Sequence, residues 1–165
     1  MAYDIDFVEE GFVKLHINKF FLYPNYWQLP ENQIPIQLDW QFVKFEEINK
    51  SKIPSKKGLY AFTLKPGYEG LFETNYLFYI GKTSRTLRIR FGEYINDSKG
   101  KGKPRKKIFS MLKKYSKYLC FYYTPIDVED DIDSFENILI NTFVPHVNVS
   151  VAKAKVKPEL QYLYE

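Results

Sequence analysis

Between Gly58 and Phe91 the apolar spacing changes period, and that change limits the folds open to the chain. Gly58-Leu59-Tyr60-Ala61-Phe62-Thr63-Leu64 and Tyr76-Leu77-Phe78-Tyr79-Ile80-Gly81 are apolar and aromatic runs of strand length. Lys65-Pro66-Gly67-Tyr68-Glu69-Gly70 places turn residues between them. Two runs joined in this way make an antiparallel hairpin. After Lys82-Thr83-Ser84 the period lengthens. Leu87, Phe91, Tyr94 and Ile95 form one stripe of a helix, with Ser84 as its N-cap. Arg90 and Tyr94, four residues apart, project to the same side of that helix.

The flanks supply less. Ile108, Met111, Leu112, Tyr115 and Leu119 fit one face of another helix, and Tyr118–Tyr123 reads as a third, aromatic strand. Phe135, Ile138, Leu139, Thr142 and Phe143 mark a last helix. Asp133 caps it, with Glu136 three residues on in a capping box, and Pro145 stops it ahead of His146-Val147-Asn148. Upstream, Phe7, Val8, Phe12, Leu15, Lys19 and Leu22 recur at roughly helical spacing. Tyr23–Pro30 reads as a loop, and Trp40–Phe45 as a short helix or strand. The expected fold is α/β (α+β), a small three-stranded, largely antiparallel sheet flanked by helices. Residues 1–52 form an N-terminal extension packed on a core of 53–150, and 151–165 form a C-terminal tail.

Charge narrows the function. The net charge of +4 hides an imbalance: residues 82–117 hold 13 Lys and Arg against Glu93 and Asp97, while the remainder is acidic. Such a block is the usual footprint for a polyanion, because each neutralised phosphate releases counterions. Lys99, Lys101, Lys103, Arg105, Lys106 and Lys107 lie in a Gly- and Pro-broken loop that becomes ordered against an anion. Arg85 and Arg88 precede them, and all eight are candidate nucleic-acid contacts. One cysteine and two histidines 130 positions apart exclude a disulfide framework and a Cys/His zinc site. No apolar run reaches the roughly 18 residues that span a bilayer. The acidic start (Asp4, Asp6, Glu9, Glu10) is wrong for a secretory signal. These features lead to the expectation of a cytoplasmic protein in a reducing compartment.

Five features line up in order: Gly58-Leu59-Tyr60, Tyr79-Ile80-Gly81-Lys82-Thr83, Arg90 eleven residues past Tyr79, Glu136, and Pro145-x-x-Asn148 with Asn148 twelve past Glu136. Together they resemble the GIY-YIG nuclease family over about residues 53–150, with Leu59 in place of the family's first isoleucine. The loop 65–75 and the basic segment before Glu136 read as insertions. The resemblance implies a divalent-metal-dependent DNA endonuclease, similar to stand-alone restriction-type or phage-type enzymes. It implies one Mg²⁺ (or Mn²⁺) ion per site, held by Glu136. Tyr60 or Tyr79 would be the base, and a phenol of pKa near ~10 needs neighbouring cations for that role. Arg90 would clamp the scissile phosphate. Lys82 would lower the tyrosine pKa or touch the phosphate, with Asn148 and Tyr94 as supporting groups. Double-strand cutting by one site per chain would favour a homodimer. The competing reading is a non-catalytic nucleic-acid-binding or inhibitory protein on the same fold, which the basic loop serves equally.

Overall fold

The computed structural model describes residues 12–165, so Phe7 and Val8 of the expected N-terminal helix lie outside the described residues. Residues 12–14 are helical, and no regular structure follows up to Tyr23. Expected as loop, Pro24–Gln28 is a short helix, α1. Pro24 stands at its first turn, where a proline's fixed φ suits a helix and its missing N–H has no partner to lose.

The sheet has four strands rather than three: β1 (Gln41–Lys44), β2 (Gly58–Leu64), β3 (Tyr76–Thr83) and β4 (Leu119–Pro125). Their order is β1-β4-β2-β3, and every pairing is antiparallel. β2 is central and nearly all buried, which explains its continuous apolar run. In β1 only Val43 is buried. One buried residue in four cannot mark a period, so its sequence left helix and strand open.

The hairpin of β2 and β3 carries a bulge. Phe62 pairs with Tyr79 and Thr63 with Leu77, which leaves Phe78 as an extra residue. An extra residue re-aims the side chains that follow it. Phe78 and Tyr79 therefore both join the core on one face, while Leu77 and Ile80 pack on the other. Strict alternation would have put Phe78 and Tyr79 on opposite faces.

On the first face lie α2 (Leu87–Ser98) and α3 (Lys106–Tyr115), burying Leu87, Phe91, Tyr94, Ile95, Ile108, Met111 and Leu112 against Tyr60, Phe62 and Phe121. Truncating one of these large core side chains costs about 3–5 kcal/mol. The α2 cap is Thr86, whose hydroxyl accepts the Ile89 N–H at 3.1 Å, rather than Ser84. Leu119 belongs to β4 and not to the preceding helix.

On the second face lies α4 (Glu129–Phe143), burying Ile132, Phe135 and Ile140. It starts a turn earlier than Asp133, and no side chain caps it. Glu129, Asp130 and Asp131 fill its first turn, where negative charge opposes the positive end of the helix dipole. The helix ends with Val144 in the left-handed region at φ 44° and ψ 61°. His146–Val151 then forms a further helix, α5. Residues 153–155 and 158–160 are single 3₁₀ turns, with Val156 and Leu160 buried in the second-face core. No described helix is long and apolar enough to cross a membrane.

Candidate active site

The first-face half of the site is built around Arg90. Four residues apart on α2, Arg90 and Tyr94 turn together toward β2, which presents Tyr60. The guanidinium Nε donates to the Tyr60 hydroxyl at 3.1 Å and Nη2 to the Tyr94 hydroxyl at 3.2 Å. Nη1 donates to Glu93 at 2.9 Å. The two phenol oxygens lie 2.8 Å apart, both deep in the core. Tyr79 completes the group, its ring centroid 6.2 Å from that of Tyr60.

The two motif glycines follow from close approach. Gly81 pairs with Tyr60 across the hairpin, and a Cβ there would lie 2.4 Å from Cζ and Oη of the Tyr60 ring. At Gly58 a Cβ would meet the Thr124 carbonyl oxygen of β4 at 2.1 Å. The Tyr60 ring therefore rests on the bare backbone of the second motif.

Burial sets the electrostatics of this half. It pushes Tyr79 upward from the ordinary phenol value, reinforced by Tyr60 and opposed by Arg105, Tyr94 and Arg90. Tyr94 is raised well above its ordinary value, first by burial and then by Tyr60 and Tyr79. For Arg90 burial acts downward, but Tyr60, Tyr94 and Glu93 outweigh it and the guanidinium holds its proton more tightly than usual. Burial raises Glu93, and hydrogen bonds from Arg90 and Arg85 outweigh that, so its carboxylate is lowered.

The second-face half consists of ion pairs. β3 alternates after its bulge, so Lys82 points the opposite way from Gly81 and pairs with Asp133 of α4. Lys82 is raised chiefly by that bond, with Glu136 a further cause. Asp133 is thus the partner of Lys82 and not a helix cap. Glu136, one turn on, is 3 % exposed, and both its oxygens face the Lys155 ammonium at 3.1 and 2.9 Å. Glu136 is accordingly a buried, ion-paired carboxylate and no part of a capping box.

Asn148, buried on α5, secures β3 between the two halves. Its amide donates to the Ile80 carbonyl at 2.7 Å and accepts the Ile80 N–H at 2.9 Å, adjoining Tyr79.

The basic candidates divide. Arg88 donates to the backbone carbonyls of Ile53 (2.7 Å) and Ser51 (3.3 Å), so it ties α2 to the preceding turn. Arg85 pairs with Glu93 at 2.5 Å and Lys99 with Glu47. Arg105 donates to the Val151 carbonyl at 2.7 Å and acts electrostatically on Tyr79. Lys101, Lys103, Lys106 and Lys107 stand exposed.

Sequence reasoning missed Lys155 and the part Arg105 plays near Tyr79. Nothing local marks either one within its run of lysines. Glu93 lies three residues past Arg90, a spacing at which helix side chains meet.

The carboxylate a hard cation would meet here is Glu136. Glu136 offers carboxylate oxygens already turned to a positive charge, and Mg²⁺ accepts one carboxylate with water and phosphate oxygens around the rest of its shell. Among the described residues, no group of three or more His, Cys, Asp or Glu side chains could hold a metal ion. Glu136 would be the principal protein ligand.

Neither a curated protein nor a solved structure matches the chain significantly. A family model described as the GIY-YIG catalytic domain matches residues 56–148, more than half of the chain. That span takes in every motif residue from Gly58 to Asn148, and the chain belongs to the GIY-YIG nuclease family.

Proposed function

We propose that this protein is a divalent-metal-dependent endonuclease hydrolysing phosphodiester bonds in DNA, of the restriction or phage type. The observation that carries this reading is the Arg90 fork, which bonds to Tyr60, Tyr94 and Glu93 at 2.9–3.2 Å. A guanidinium preset in this way is ready to bind a phosphate and to stabilise the charge that develops on it.

The same contacts favour Tyr60 over Tyr79 as the base. The Tyr60 oxygen accepts from Arg90 Nε at 3.1 Å, and the Tyr94 hydroxyl 2.8 Å away can donate to that oxygen as well. Burial keeps Tyr79 and Tyr94 neutral, so they act as donors. Tyr60 therefore takes the proton from the attacking water, and Tyr79 and Tyr94 orient the groups around it. Glu136 would hold the ion, which when bound supplies Lewis-acid polarisation of the phosphate and charge for the leaving oxygen. Lys82, held by Asp133, adds positive charge at the same end of β3.

Conversion of supercoiled plasmid in Mg²⁺ tests the reading. Wild type should cut, and Tyr60→Phe, Arg90→Ala and Glu136→Gln should each lose about 10²-fold or more. Equal cutting by all four chains would sink the assignment. Discrete fragments from a long mapped DNA support the restriction type. DNA binding without cleavage in both Mg²⁺ and Mn²⁺ favours the non-catalytic reading.

A further inference from the structure

Lys155 is held where it is by more than its charge. The Asn141 side chain on α4 donates to the Lys155 carbonyl at 3.1 Å and accepts the Lys157 N–H at 2.8 Å. Val156, between them, is buried with Ile140 of the same helix. The 153–155 turn is thereby docked on α4 about one and a half turns beyond Glu136. From there the ammonium reaches both oxygens of a carboxylate whose side chain is 4 % exposed, while the Lys155 side chain is 41 % exposed.

These exposures say which partner can move. Glu136 is enclosed and cannot turn out to water without leaving the core. Lys155 already borders solvent. An ammonium and a divalent ion bound to the same two oxygens would be like charges within a few ångströms of each other, which is strongly unfavourable away from water. A buried carboxylate left with no cation is costly as well.

We propose that Lys155 is the resident counter-ion of the Glu136 metal site: it neutralises the carboxylate while no metal is bound, competes with a divalent cation for it, and leaves it when the cation binds. The proposal rests on Glu136 being the metal carboxylate. Lys155 is thus a positioning residue that sets how much metal the site requires, and the 153–155 turn is part of the site.

The test is Mn²⁺ binding to the full chain without DNA, read by the electron paramagnetic resonance of free Mn²⁺. Lys155→Met should bind Mn²⁺ about tenfold more tightly than wild type, the scale on which groups beside a metal ligand act. Lys155→Arg, which keeps the charge, should stay near wild type. Mn²⁺ should also raise the melting temperature of Lys155→Met more than that of wild type, because only the variant lacks a cation at Glu136 beforehand. Lys155→Gln, a neutral donor, replaces the Met variant if that chain does not fold. Binding by the neutral variants that equals or falls below wild type overturns the proposal while leaving Glu136 as the ligand. If Glu136→Gln binds Mn²⁺ as wild type does, the metal reading falls and this one with it.

Discussion

The two faces of β3 hold their functional groups by different means. Toward α2, phenols surround one arginine, and directional hydrogen bonds between buried groups fix the geometry. Toward α4, two carboxylates on one helix face each hold a lysine. Hydrogen-bonded phenols define a shape that persists whatever is bound. Ion pairs define a charge balance in which one cation can replace another. Under the proposed function the difference divides the labour: water and phosphate would be oriented on the first face and cations exchanged on the second.

Substitutions on the two faces should separate these roles. The largest effect is expected from Arg90→Ala, which removes three hydrogen bonds from the first face. Cleavage should drop about 10²–10³-fold while Mn²⁺ affinity stays put. Parallel nicking and Mn²⁺ titrations check this, and a matching loss of metal affinity would erase the distinction between the faces. Gly81→Ala comes next. Its methyl would drive into the Tyr60 ring, so we expect a loss of about 1–3 kcal/mol in urea unfolding together with weakened cleavage. An unchanged midpoint would mean that the ring has room to retreat.

A pH titration sharpens the comparison from the phenol side. Burial raises Tyr79 and Tyr94 in the folded chain, whereas unfolded phenols ionise near about pH 10. The unfolded chain loses these protons first. The stability they confer is therefore complete below about pH 10 and declines as pH rises beyond it. Urea midpoints across that range should fall, and Tyr94→Phe should make the fall shallower. The smallest effect is expected from Lys106→Ala with Lys107→Ala, which touches neither face. DNA binding should weaken modestly, and its salt dependence should lose roughly 0.9 in log–log slope per phosphate contact removed. A filter-binding series in increasing salt measures it.

What could be read from the sequence was what local spacing determines. Leu87, Phe91, Tyr94 and Ile95 face inward as their period requires, and the hairpin forms between the two apolar runs. The Phe78 bulge left no trace, because one extra residue in an aromatic run looks like the run itself. Asp133 was misread as a cap because Asp-x-x-Glu is a start signal only where the chain is not already helical, and the acidic turn at 129–131 begins the helix earlier. Lys155 was invisible because its meeting with Glu136, 19 residues away, depends on how Asn141 docks the intervening turn. Tyr60 and Tyr79 were legible because each lies in a short contiguous motif. The balance of ion pairs behind them depended on tertiary contacts that no local pattern encodes.

The strand order leaves β3 at a margin of the sheet, where unpaired backbone groups invite another chain to add a strand. Asn148 intervenes there. Its amide offers Ile80 the donor and acceptor that a neighbouring strand would otherwise supply. One side chain thus occupies the Ile80 position of the margin while leaving the Tyr79 side chain turned to its own face. Nucleic acid, which has no peptide ladder to offer, is not excluded by this device. At Ile80 the backbone of this edge strand is thus already satisfied from within the chain, which removes one rung from any ladder a second copy could build there.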